Sequence, residues 1–176
     1  MIPSPPDALE WPVSRFWRLS HRYDRKALPL ANRHYNRQKP DSPQFCPPGK
    51  IVALLSVENP VSALWVSNYQ DHVSHRWPGA WTNSLFRNEG ENLSSELIRD
   101  ALAVTRFYWR EVPELGLITF IDSEKVKKKR DPGYCYLRAG FKYIGFTKIN
   151  RLHVLQIKPE DFPSPLRPAG PLQLSF

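Results

Sequence analysis

Residues 87–92, Arg-Asn-Glu-Gly-Glu-Asn, constrain what this chain can fold into more than any other segment. The run before them, 81–86, is short, aromatic and strand-like, and after them apolar residues recur at helical spacing from Leu93 to Tyr108. A strand that feeds a glycine turn and then a helix leaves backbone N–H groups free at the helix N-terminus, where the helix dipole adds positive potential. The segment therefore predicts a phosphate-binding loop.

Six residues in and after this segment are predicted to hold a phosphate-bearing ligand. Gly90 lets the backbone approach the ligand closely, and Arg87 offers a fixed fork of donors. The other four are Asn88, Asn92, Ser94 and Ser95. The two serines are also candidate caps of the helix, which is predicted to run from about residue 94 to residue 109.

Strand-like and helical segments also occur in the rest of the chain. Further strands are predicted at 16–19, 51–57, 62–67, 115–122, 143–148 and 152–157. A helix predicted at 25–35 is interrupted by Pro29. At 176 residues the chain suits one domain, and 1–14 and 159–176 are predicted to be proline-rich extensions of it.

Two segments resemble the GNAT acyltransferases. Residues 87–92 resemble that family's Arg/Gln-x-x-Gly-x-Gly/Ala loop, which cradles the pyrophosphate of coenzyme A, although Asn92 stands where the family has Gly or Ala. Residues 136–141, Tyr-Leu-Arg-Ala-Gly-Phe, resemble the family's Tyr-x-x-x-Gly-Phe element. The resemblance covers roughly residues 50–157. It implies an α/β (α+β) fold, a mixed twisted sheet flanked by helices, with acetyl-CoA or another acyl-CoA as the donor.

A narrower resemblance is to the phage Mom family, a GNAT-like branch that converts adenine in DNA to N6-carbamoylmethyladenine. It rests on 34–37, His-Tyr-Asn-Arg, with Lys39 and Pro40 after them, and on 128–133, Lys-Lys-Arg-Asp-Pro-Gly. It implies a transferase that acts on double-stranded DNA with a flipped adenine, in the cytoplasm of an infected or lysogenic bacterial host. Two rivals stay open. One is a coenzyme A-dependent N-acetyltransferase of a protein or small amine, and the other is a catalytically silent DNA-binding protein on a GNAT scaffold.

Four residues are candidates for the chemistry. Under the GNAT resemblance Tyr136 protonates the departing thiolate of coenzyme A, and otherwise it is a packed helix tyrosine. Asp122, at the end of an apolar strand, accepts a proton from the acceptor amine or orients it, or else caps the turn that follows. His34 is a candidate base near neutral pH, and Tyr35 is a candidate to stack on an extruded adenine.

The formal net charge of +8 and the pI near 9.7 predict a polyanionic partner, DNA first, although solubility alone would also explain them. The residues predicted to contact DNA are Arg37, Lys39, Lys127, Lys128, Lys129 and Arg130. Two cysteines, without a Cys-x-x-Cys motif or a histidine cluster, predict neither a disulfide framework nor a metal site. No apolar run is long enough to span a membrane, so a soluble cytoplasmic protein is expected. The oligomeric state, a homodimer included, stays open.

Overall fold

The computed structural model describes residues 12–126 and 131–168, which form one seven-stranded sheet with helices packed against it. The strands are β1 (Trp17–Ser20), β2 (Lys50–Ser56), β3 (Ala63–Tyr69), β4 (Trp81–Asn88), β5 (Leu117–Ile121), β6 (Lys142–Phe146) and β7 (His153–Ile157). The helices are α1 (Leu28–Asn32), α2 (Ser94–Trp109) and α3 (Tyr134–Arg138), and a 3-10 helix covers Pro159–Asp161. The predicted α/β fold, a mixed sheet flanked by helices, is confirmed.

The strand order in the sheet is β1-β2-β3-β4-β5-β7-β6. Among the described strands β4 and β5 run parallel, and every other neighbouring pair runs antiparallel. The parallel pairing covers three positions, from Trp81 opposite Leu117 to Asn83 opposite Thr119, although β4 continues to Asn88. The two strands therefore separate beyond Asn83, and a cleft opens between them.

Both faces of the central strands are buried, because a layer of chain packs on each. Successive residues of a strand point to opposite faces of the sheet. In β2, Val52 and Leu54 join the core under α2. The alternate residues Ala53 and Leu55 join the core under α1. The α2 side chains in the first core include Leu97, Ile98, Ala101, Leu102 and Val104. The prediction of a helix from about 94 to 109 is confirmed.

Helix α1 is shorter than the helix predicted at 25–35. It begins at Leu28, and Pro29 lies in its first turn, where the missing N–H of a proline is tolerated. A turn organised by Asp24 precedes it, since a side-chain oxygen of Asp24 accepts the backbone N–H of Lys26 at 2.9 Å. After α1 the chain turns again at His34, whose backbone carbonyl accepts the N–H of Arg37.

A β-bulge lies in β4 where this strand separates from β5. Val66 pairs with Leu85, and the next residue of β3, Ser67, pairs with Asn83, so Ser84 is an extra residue in β4. The Asn83 side-chain amide donates to the carbonyls of Val66 at 2.9 Å and of Leu85 at 2.8 Å. The Asn83 side chain thus supplies hydrogen bonds at the point where the bulge interrupts the ladder.

Candidate active site

The candidate active site is a cleft of about 470 Å³ at the point where β4 and β5 separate. Residues from β4, β5, the start of α3 and the segment after α1 line it. Its aromatic and polar side chains include Tyr35, Asn83, Phe86, Thr119, Phe120 and Tyr136. Cationic residues, Arg33, Arg87 and Lys125, also line it, and no aspartate or glutamate does so among the residues that the structure describes.

A buried hydrogen-bond network joins three elements at the base of this cleft. The Tyr136 hydroxyl, on α3, donates to Asn83 Oδ1 on β4 at 2.6 Å. Thr119 Oγ1, on β5, lies 3.3 Å from the same oxygen and 3.2 Å from the Asn83 carbonyl. All three residues are buried, and Tyr136 is 7% exposed. Burial raises the pKa of Tyr136 well above its ordinary value, so the phenol is neutral.

The direction of this network is fixed by Asn83. Its Nδ2 already donates to two backbone carbonyls, so Oδ1 must be the atom that faces Tyr136, and the tyrosine must be the donor. The Tyr136 proton is therefore engaged with Asn83. Protonation of a leaving group by Tyr136 would first require this hydrogen bond to break, so the geometry makes Tyr136 an ordered hydrogen-bonding group.

His34 and Tyr35 both line the cleft, from the turn after α1. Their rings stack with centroids 4.5 Å apart. Burial, assisted by the positive charge of Arg87, lowers the pKa of His34 to about 4, so the imidazole is neutral near pH 7. Its Nδ1 accepts the backbone N–H of Asn36 at 3.3 Å. In the neutral ring Nε2 then carries the proton, which makes His34 a donor rather than the expected base.

Asp122 follows β5, but it is not among the residues that line the cleft. Its Oδ1 accepts the backbone N–H of Glu124 at 3.1 Å, and its Oδ2 lies 3.8 Å from Lys125 Nζ. This is the turn-capping alternative that the sequence left open. Asp122 is still close to the site. Burial raises the pKa of Tyr35, and a hydrogen bond from the Asp122 backbone opposes that rise.

The loop before α2 differs from the predicted phosphate site at its caps and its glycine. The N-cap of α2 is Leu93, which has no side-chain cap, so the expectation that Ser94 or Ser95 caps the helix is wrong. Instead, Ser94 Oγ accepts a hydrogen bond from Asn88 Nδ2 at 2.9 Å. A Cβ on Gly90 would lie 2.6 Å from Ser62 Oγ, so packing against Ser62, in the segment before β3, is enough to require this glycine.

Carboxylates already occupy the side-chain donors of this loop. Glu89 accepts hydrogen bonds from Arg33 at 2.8 Å and from Arg87, and these bonds, that of Arg33 first, lower its pKa to about 2. Glu58 accepts one from the Asn92 amide. In the described structure Arg87 and Asn88 line the cleft, whereas Gly90, Asn92, Ser94 and Ser95 do not. The side chains of Arg87 and Asn92 are thus paired within the protein, and coenzyme A as the ligand of this loop stays a prediction.

The predicted DNA contacts fall into three groups. Arg37 donates to Asn32 Oδ1 and to the carbonyls of Ser42 and Gln44 at 2.6 to 3.1 Å, so its guanidinium holds the loop after α1. Lys39 is exposed and lines a neighbouring cavity of about 460 Å³. The predictions for Lys127, Lys128, Lys129 and Arg130 lie outside the described residues.

Sequence reasoning missed Asn83 and Thr119. Each is a small polar residue inside a strand-like run, and strand patterning gives no reason to select it. The one available signal is that both positions are buried and polar within apolar segments, which becomes visible only when the two strands are known to be neighbours.

Within residues 12–126 and 131–168, no helix combines the length and the apolar character needed to cross a membrane. In the same residues no group of three or more His, Cys, Asp or Glu side chains is placed to hold a metal ion. No family model, curated protein or solved structure matches this chain.

Proposed function

We propose that this protein is a GNAT-like transferase that modifies the exocyclic amine of adenine in DNA, the activity that its resemblance to the Mom family implies. The cleft is the observation that supports this most. Aromatic rings and neutral hydrogen-bonding groups line it, which suits a flat, uncharged base. A lysine or polyamine acceptor is cationic and would be recognised by carboxylates, and the described lining has none.

In this proposal the residues of the cleft act mainly by positioning. Tyr35 covers one face of the adenine, and His34, held by the Asn36 amide, stacks on the other face of the Tyr35 ring and orders it. Tyr136 orders the inner wall through Asn83. Adenine N6 is a weak nucleophile because its lone pair is delocalised into the ring, so holding it in line with the donor carbon supplies much of the catalysis.

When N6 bonds to the donor carbon, the bond from that carbon to its leaving group breaks, and N6 loses one proton. We assign it to a water molecule in the cleft, because no carboxylate of the described residues lines the cleft and the Asp122 carboxylate accepts the Glu124 amide instead. The donor is left open, since the Arg87 and Asn92 side chains of the loop before α2 are paired with carboxylates, and no step is assigned to coenzyme A.

Mass analysis of nucleosides tests the proposal. DNA from cells that express the wild-type chain should yield a deoxyadenosine of increased mass, and DNA from cells that express Asn83→Ala at equal soluble level should yield much less. Arg25→Ala, an exposed residue that lines no described cavity, is the matched control and should modify fully. Unmodified adenine with the wild-type protein, in a host that supplies the donor, would reject the function.

One observation favours a second candidate, the catalytically silent DNA-binding protein. The carboxylates of Glu58 and Glu89 accept hydrogen bonds from the side chains of Asn92 and Arg87. These two side chains were predicted to bind a phosphate-bearing substrate. Under this alternative the purified protein binds DNA but gives no thermal shift with any nucleotide-type ligand, and no modified nucleoside is found in any host. A single modified adenosine product would exclude it.

A further inference from the structure

Two further cavities continue from the cleft. The first, the amide cavity, has a volume of about 480 Å³, and its polar lining includes Asn36, Asn68, Gln70, His72, Thr82 and Ser84. The second, the aromatic cavity, has a volume of about 390 Å³, and its lining includes His75, Trp77, Phe120 and Lys148. Phe120 lines the cleft and both cavities, and Ser84 lines the cleft and the amide cavity. The three spaces therefore form one groove.

The charge of this groove is of one sign. The sequence has 17 aspartate and glutamate residues, yet none of them lines the groove in the described part of the chain. Cations lie at both ends. Arg87 and Lys125 line the cleft, and Arg76 and Lys148 line the aromatic cavity. A polyanion can lie along this groove without meeting a lining carboxylate.

The aromatic cavity has a stacking surface. The ring centroids of His75, Trp77 and Phe120 lie 5.5 to 6.2 Å from one another. The Arg76 guanidinium lies 5.5 Å above the Trp77 ring. Burial lowers the pKa of His75, which keeps this ring neutral near pH 7. Clustered rings with an adjacent arginine are the combination on which unpaired bases stack.

The amide cavity is lined by neutral hydrogen-bonding side chains. Asn68 is 6% exposed, and its Oδ1 meets no donor among the described residues. Ser84 Oγ is likewise buried without a partner there. Both residues line the amide cavity together with Asn36, Gln70 and Thr82, and this neutral lining suits a ligand with hydrogen-bonding edges. The edge of a nucleobase has this chemistry.

We infer that the groove binds the single strand that continues from the modified adenine, with the next base in the amide cavity and the one after it on the aromatic cavity. This inference rests on the proposed function, since it places the target adenine in the cleft. Each cavity has the size of a small-ligand site and suits one unpaired nucleotide rather than a duplex. The phosphates then lie near Lys125 at one end and near Arg76 and Lys148 at the other.

The test compares two double variants that remove equal charge. Arg76→Ala/Lys148→Ala removes exposed cations of the aromatic cavity, and Arg25→Ala/Arg167→Ala removes exposed cations that line no described cavity. The probe is a fluorescein-labelled single-stranded oligonucleotide of about 15 nucleotides that contains adenine, measured by anisotropy over a range of salt. The groove variant should bind more weakly, with a salt slope smaller by about 1.4 if two phosphate contacts are lost. The control should keep the wild-type slope.

A second measurement separates this inference from the proposed function. With modification as the readout, the groove variant should lose kcat/KM on the oligonucleotide and keep it on free deoxyadenosine. An equal loss on both substrates, or equal binding by the two double variants, would overturn the groove. If no adenine is modified by the wild-type protein but the difference in salt slope stands, the groove is retained and the proposed reaction is rejected.

Discussion

At the scale of single residues, the site depends on an asparagine more than on the tyrosine that the sequence selects. Tyr136 could be identified because a sequence motif surrounds it. Its role could not, because that role is set by Asn83, which is 53 positions away in the chain. The parallel pairing of β4 with β5 places Asn83 opposite Thr119, and α3 brings the Tyr136 hydroxyl to Asn83. Asp122 was placed at the right strand end, but its carboxylate caps a turn.

Replacing Tyr136 by Phe should lower both stability and activity. The substitution keeps the ring and removes the 2.6 Å hydrogen bond to Asn83 Oδ1, so the folded state should lose about 1 kcal/mol of unfolding free energy. Tyr108→Phe is the matched control, because the buried Tyr108 hydroxyl has no partner among the described residues. That variant should be as stable as the wild type or more so. Urea unfolding measures both variants, and equal losses would mean that the Asn83 bond contributes nothing.

His34 should make stability fall as the pH is lowered. Its folded-state pKa of about 4 lies below the ordinary 6.5, so the unfolded chain binds the proton first and stability is lost between these two values. Glu89, whose pKa is lowered from 4.5 to about 2, acts mainly below this window. In His34→Gln the urea midpoint should therefore change less between pH 7 and pH 4.5 than in the wild type. His72→Gln, at an exposed histidine, serves as the control, and identical curves for His34→Gln and the wild type would contradict the assignment.

At the scale of elements, local patterns predicted what a segment becomes but not what its loops contact. Helix α2 was predicted correctly because its apolar period is regular along its whole length. In the loop just before α2, the sequence suggested a different reason for Gly90. A glycine between a strand and a helix suggests ligand approach, whereas here it lies against Ser62 of the segment before β3. Packing partners that are distant in sequence leave no local signal.

The loop between β4 and α2 should tolerate a methyl group at position 90 only if the side chain of Ser62 is removed as well. In Gly90→Ala the new Cβ meets Ser62 Oγ at 2.6 Å and Ser62 Cβ at 3.0 Å, and such overpacking typically costs about 1 to 3 kcal/mol. Ser62→Gly removes both atoms. A double-mutant cycle by chemical denaturation should give a favourable coupling between the two changes. Strictly additive effects would mean that Gly90 is required for another reason.

At the scale of the whole molecule, the strands of the sheet differ in how deeply they are buried and in how many neighbours they pair with. Strand β3 is buried along nearly its whole length and pairs on both sides. The two edge strands differ from each other. Most of β1 is buried, with Trp17 fully covered beneath α2, whereas β6 is mostly exposed and its pairing with β7 is irregular after Tyr143. The overall fold class was predictable from the order of elements, but this difference between edges was not, because Tyr143, Ile144 and Phe146 are residue types typical of buried and exposed strands alike.

Native-state hydrogen exchange should rank these strands by the free energy of opening that each amide needs before it exchanges. Amides of β3 should exchange only through global unfolding, because freeing them requires two strand pairings and both cores to break. Amides of β6 should exchange by local opening at a lower free energy, since this strand pairs with β7 alone and buries little. The other edge strand, β1, provides the matched control. It pairs with β2 and has one isolated bridge from Arg18 to Pro12, and its side chains lie in the core, so it should be protected more than β6. Protection of β6 equal to that of β3 in dilute solution would contradict this ranking and would mean that another surface covers the β6 edge.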